Sequence, residues 1–140
     1  MAGYSGKPLS QKLGITAGAT ISAISAPSNY RKLLGSISKS VIFSDTVAKN
    51  APFVHLFVIK RAELQKRLTQ IRSKLADTGV VWVSWPKKTS GVETDVTEDV
   101  IRGVALPLEF VDVKVCAVDD VWSGLKLVIR REHRKESSPK

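Results

Sequence analysis

The sequence predicts an α/β domain: a single three-layer unit with a mostly parallel sheet and a C-terminal antiparallel hairpin. Three observations predict it. Short strand-like runs alternate with helical patterns along the chain. Two of those runs, residues 53–59 (FVHLFVI) and 80–85 (VVWVSW), are almost continuously apolar, as strands covered on both faces must be. The last two strand-like runs flank a short polar loop, DDVWSG, at hairpin spacing.

Composition agrees with one globular unit. At 140 residues the chain is long enough for a single core. Hydrophobic residues at 43% and charged residues at 25% are ordinary for a globular protein, which confines expected disorder to the ends. Of the net charge of +9, residues 130–140 carry +3, from five Lys or Arg and two Glu. The expected boundaries are therefore a domain over 1–129 and a basic disordered tail over 130–140. The positive balance points to an acidic partner, although no nucleic-acid-binding motif accompanies it. A single cysteine, Cys116, excludes an intrachain disulfide and a Cys-based zinc cluster; within an apolar run it is expected as a small core residue. No run approaches the roughly 18 apolar residues of a membrane span, and the first residues lack a signal-peptide pattern, so a cytoplasmic protein with no membrane contact is expected.

In chain order, residues 1–7 form a short Gly- and Ser-bearing lead, and 8–13 form one or two helical turns between Pro8 and Gly14. Residues 19–25 (ATISAIS) are the first strand. The turn after it is Ala26-Pro27-Ser28-Asn29, with no glycine until Gly35. A glycine-rich turn lets backbone amides approach a pyrophosphate, so the usual dinucleotide cradle is expected to be absent or heavily altered. A short helix follows to Leu34. Residues 40–45 (SVIFSD) form a second strand ending in Asp45, and 46–52 a short connection.

His55, in the middle of the 53–59 strand, is expected as a hydrogen-bonded core residue. Residues 61–77 are the clearest helix: Leu64, Leu68, Ile71 and Leu75 form one stripe, with Lys66, Arg67, Arg72 and Lys74 opposite. Gly79 is expected to end it. After the 80–85 strand, Pro86 stops the ladder and a polar loop runs over 87–94. Asp95 and Glu98 have the D-x-x-E spacing of a capping box for a helix through Leu106, with Thr97 a competing cap. Val100, Ile101, Val104 and Leu108 are its buried face. Strands over 111–118 and 125–129 complete the fold.

This order is Rossmann-like. From residue 53 onward it resembles the later part of a class I methyltransferase-like fold, terminal hairpin included. The blocks WPKKTSGVETDVTEDVIR and VDVKVCAVDDVWSGLKLV, with YSGKPLSQKLGI near the start, also resemble the bacterial domain of unknown function 3052. The resemblance implies a compact Rossmann-like domain in a bacterial cytoplasm and carries no chemistry with it.

In parallel α/β sheets ligands bind beyond the carboxyl ends of the strands. The candidate ligand residues there are Asn29, Asp45, Trp85, Lys87, Lys88 and Ser90. Asp45 has the position from which a carboxylate grips ribose hydroxyls, and the lysines with Ser90 suit a phosphate or carboxylate. Asp95, Glu98 and Asp99 at the next helix start oppose an anion. Asp119 and Asp120 are expected to form a turn, and Trp122 to lid the core. No catalytic residue, metal site or cofactor is expected. The leading expectation is a noncatalytic small binding or regulatory domain whose partner is a small anionic ligand or a protein. The alternative is a reduced methyltransferase-like enzyme or nucleoside-binding protein. A second alternative is nucleic-acid binding through the basic helix and tail.

Overall fold

The computed structural model describes residues 7–134. The lead over 1–6 and the tail over 135–140 lie outside the described residues. Six strands form one sheet in the order β2-β1-β3-β4-β6-β5. They are β1 (Thr20–Ile24), β2 (Ile42–Ser44), β3 (Ala51–Phe57), β4 (Leu75–Pro86), β5 (Phe110–Ala117) and β6 (Trp122–Ile129). β1 pairs in parallel with β2 and β3, and β3 with β4. β6 runs antiparallel between β4 and β5, as the hairpin spacing predicts. Four α-helices cover the sheet: α1 (Leu9–Leu13), α2 (Tyr30–Leu34), α3 (Arg61–Lys74) and α4 (Glu98–Ala105).

Alternation along the central strands divides the core into two. Val54 and Leu56 of β3, with Val81, Val83 and Trp85 of β4, pack with Leu64, Leu68 and Ile71 of α3 and Ile101 and Val104 of α4. Phe57 and Trp82 point the other way, into a cluster with Leu13 of α1 and Tyr30 and Leu34 of α2. Each fully buried Leu or Ile contributes roughly 2 kcal/mol, so the α3 stripe alone supplies several. The Trp82 indole N–H donates to the Leu13 carbonyl at 3.1 Å, fastening the end of α1 to the sheet. Among the described residues no helix is long and apolar enough to cross a membrane.

Several boundaries differ from the sequence expectation. α3 ends at Lys74, because Leu75 is already extended and pairs with Ala51. Gly79 therefore does not end the helix; it lies inside β4. A Cβ there would stand 2.8 Å from the Leu75 side chain and 2.9 Å from the Ala51 carbonyl oxygen, which explains the glycine by close approach. β3 begins two residues early, at Ala51, and β6 three early, at Trp122. The segment after β6 opens with a 3-10 turn over Arg131–His133, where His133 Nδ1 lies 3.0 Å from Glu109.

His55 is fully buried and makes two hydrogen bonds, Nδ1 with the Tyr30 hydroxyl at 2.8 Å and Nε2 with the Ser84 hydroxyl at 2.7 Å. Burial pushes its pKa down to about 3 and the Tyr30 phenol above its usual range. The ring is thus neutral in the native state, whereas the unfolded chain protonates it below about pH 6.5. As pH falls from 6.5 toward 3, the unfolded state takes up a proton that the native state refuses, and stability is lost across that window. Urea unfolding should show a decline of up to about 1.4 kcal/mol per pH unit there. His55→Gln should lose this component of the slope.

Candidate functional site

The carboxyl ends of the parallel strands carry four distinct structural features. After β1 the chain turns through Ser25, which has φ of 58°. Only glycine adopts this left-handed region without cost, so a serine here stores strain in the turn where a nucleotide-binding fold would use glycine. After β2 stands Asp45, exposed, bordering a cavity of about 540 Å³ with Tyr30, Arg31 and Phe43. The Arg31 guanidinium lies 4.1 Å over the Phe43 ring and fixes one wall.

Between β1 and β3 the chain leaves the sheet in opposite directions, through α2 on one face and α3 on the other. That is the topological switch point, where open α/β sheets form a crevice. A cavity of about 550 Å³ lies there, lined by Ser25, Phe57, Ile59, Lys60, Glu63 and Trp122 among others. Phe57 and Trp122 meet edge to face at 5.0 Å and form an aromatic wall. Lys60 and Glu63 put opposite charges on its border; Glu63 also pairs with Arg67 at 2.9 Å.

The loop after β4 frames this crevice. The Lys87 N–H donates to the Val121 carbonyl at 2.7 Å, tying the loop to the hairpin. The Ser90 hydroxyl donates to the Lys87 carbonyl at 2.6 Å and accepts from the Val92 N–H at 3.1 Å. The Thr94 hydroxyl donates to the Ile59 carbonyl at 2.6 Å, clamping the loop to the chain after β3. Asp95 accepts the Arg61 N–H at 2.7 Å, so it caps α3 from across the fold. The expected Asp95–Glu98 capping box is thereby corrected: Thr97 caps α4, accepting from the Val100 N–H at 3.2 Å. Its spacing was right for a cap, but the carboxylate serves a helix distant in sequence.

The expected ligand residues are divided. Trp85 is 9% exposed and belongs to the core; with Lys88 it borders a separate cavity of about 530 Å³. Glu98, Asp99 and Arg102 share that cavity, and Arg102 pairs with all of Glu98, Asp99 and Asp112. The hydrogen bond from Arg102 holds the Asp112 carboxyl below its usual range, and hydrogen bonds to Asp112 and then Glu98 hold Arg102 above its own. Asn29 sits at the start of α2 with no side-chain cap bond. Asp45 lies three strand positions from the end of β4, about 14 Å at ordinary spacing, so it does not share one pocket with Trp85 and Lys88. Asp119 accepts the N–H groups of Val121 and Trp122 at 2.9 and 2.8 Å, which is the expected turn. The aromatic wall was missed because Phe57 read as ordinary core; its signal was Trp122 beside a hairpin turn.

A scan against family models gave no match, and a search of curated proteins gave none. Solved structures do match. A candidate type 11 methyltransferase from Sulfolobus solfataricus has a TM-score of 0.61 at 16% identity, over 87% of this chain and 89% of that one. The DhpI–SAH complex gives 0.58 at 10%, over 88% and 82%. Against the larger N,N-8-amino-8-demethyl-D-riboflavin dimethyltransferase of Streptomyces davawensis the score is 0.52 at 14%, over 86% of this chain but only 44% of that enzyme.

The Asp95 cap is directly testable. Asp95→Ala should destabilise the protein by about 1 kcal/mol, since it frees an N–H at the start of α3. Thermal or urea unfolding measures this loss. The sheet order, the crossovers on both faces and the terminal hairpin, together with these neighbours, show that the chain has a class I methyltransferase-like Rossmann fold.

Proposed function

We propose that the protein binds a nucleoside-type ligand along the carboxyl edge of its sheet, as a reduced methyltransferase-like protein would. The observation that carries this reading is the crevice at the β1/β3 switch point, walled by Phe57 and Trp122. Asp45 stands two strand spacings away, about 10 Å, at the end of β2. An extended nucleoside derivative spans that interval, with its ribose hydroxyls donating to the Asp45 carboxylate. Its 5′ substituent then reaches the crevice, where Lys60 and Glu63 match a carboxylate and an ammonium. Ser25 keeps the tight left-handed turn that such a ligand needs, without the usual glycine. This reading takes precedence over a noncatalytic regulatory domain because the crevice and the acid lie on one edge in the order the fold requires. The sequence resemblance to the bacterial domain of unknown function 3052 is compatible with it. Within this reading Lys87, Lys88 and Ser90 support the loop that frames the crevice, and Asn29 starts the helix beside it.

Thermal shift with S-adenosylmethionine, S-adenosylhomocysteine and adenosine tests the proposal. At a hundredfold excess over Kd a ligand stabilises by about 2.7 kcal/mol, which raises Tm by roughly 10 °C for a domain of this size. Asp45→Asn should weaken ribonucleosides by roughly ten- to a hundredfold and leave their 2′,3′-dideoxy forms unaffected. A Tm that none of these nucleosides moves at millimolar concentration rules the reading out.

A further inference from the structure

The two faces of the sheet carry different charge patterns. On the α3/α4 side acids and bases interleave: Arg67 pairs with Glu63, and Arg102 with Glu98, Asp99 and Asp112. On the α1/α2 side they do not. Residues 1–44 contain five Lys or Arg and no Asp or Glu. Within the described residues these are Lys7 just before α1, Lys12 on α1, Arg31 and Lys32 on α2, and Lys39 in the 3-10 turn that follows.

The hairpin extends this layer. Lys126 is registered opposite Trp82, which belongs to the α1/α2 core, so the lysine lies on that face. Lys114 is registered opposite Lys126 and shares it. Lys12 reaches the same strand, its ammonium 3.4 Å from the Ala117 carbonyl, and both Lys12 and Lys114 act electrostatically on Cys116. Like charges directly opposite across strands destabilise a sheet. Two lysines so placed cost stability that nothing in the folding of the sheet requires. The carboxylates nearest this layer are Asp45, Asp119 and Asp120 at the carboxyl edge of the sheet and Asp77 near the start of β4.

We propose that this face, from Arg31 and Lys32 across to Lys114 and Lys126, is a docking surface for the phosphate backbone of duplex nucleic acid. Six strands at ordinary spacing span about 24 Å, enough to meet a row of phosphates. Lysines act as point charges on phosphate and read no sequence. A single strand would need fully exposed aromatic platforms, whereas on this face Tyr30, Phe57 and Trp82 are buried and Phe43, Phe53 and Trp122 are half-buried. A lipid surface would need exposed apolar side chains to insert. Of the exposed strand residues, Ile42 and Val115 belong to the other face, next in chain to Phe43 and opposite Leu125 respectively, and Val113 stands singly beside Lys114 at the irregular step in β5, too little apolar surface to insert. This surface is distinct from the nucleoside crevice and shares only Arg31 with the cavity beside Asp45. It also differs from the basic helix and tail that composition alone suggested.

The test is fluorescence anisotropy of the full chain with a short mixed-sequence DNA duplex across a salt series. Binding should be insensitive to sequence and fall steeply with salt. Lys114→Gln with Lys126→Gln should reduce the slope of log affinity against log salt by about 2, without lowering Tm. Lys32→Gln with Lys39→Gln, at the far end of the same face, should also reduce it. Lys66→Gln on α3 should leave it unchanged. The proposal is overturned by no duplex binding at low salt, by an equal effect of Lys66→Gln, or by capture on phosphatidylserine vesicles in preference to duplex.

Discussion

The fold depends on one buried polar node. His55 sits in the centre of β3 with no solvent contact and bonds Tyr30 on α2 with one ring nitrogen and Ser84 on β4 with the other. A buried polar group is costly unless satisfied, and here each of the three satisfies the next. Among the described residues no buried side-chain nitrogen or oxygen is left without a partner. Because the chain of bonds crosses from a helix to two strands, it sets where α2 lies against the sheet. That in turn positions Arg31 over Phe43 and shapes the cavity beside Asp45. Aromatic contacts reinforce the node: the His55 ring stacks on Phe57 at 4.3 Å, and Tyr30 meets Phe57 edge to face at 5.5 Å.

The loop from Lys87 to Thr97 is the second organising element, and it works as a strut. It touches the hairpin through Lys87, the end of β3 through Thr94 and the start of α3 through Asp95. Three elements that meet at the carboxyl edge are thus held at fixed separation around the switch-point crevice. The polar residues that drew attention to this stretch are largely spent on these backbone contacts. Its concentration of hydroxyls and carboxylates reflects the number of backbone groups that need partners where several strand and helix ends converge.

The architecture is abbreviated on one side. β2 is three residues long and ends the sheet next to β1, and only six residues separate it from β3. A cavity of about 370 Å³ opens there between Asp45 and Arg67 and Lys74 of α3. The Streptomyces davawensis dimethyltransferase is a longer chain, of which this one spans 44%. The shortening leaves the switch point intact, since that depends only on β1, β3 and the helices that follow them.

What the sequence determined by itself is the class of fold and the interior. Almost continuous apolar runs marked β3 and β4, the Leu64, Leu68 and Ile71 stripe marked α3, and the spacing around Asp119 marked the hairpin. These features are local, and burial follows directly from the period of apolar residues. The site was only partly legible. Of the candidate residues, Asp45 borders a cavity at the carboxyl edge, Trp85 lies in the core and Lys88 borders a different cavity. Asp95, whose spacing signalled a local cap, serves α3 instead. Only the tertiary structure decided that Ser25, Phe57 and Trp122 share one crevice, and that Lys12, Lys114 and Lys126 share one face. Those neighbours are brought together by strand order and register, which are set by packing over the whole sheet and leave no mark at short range in the chain.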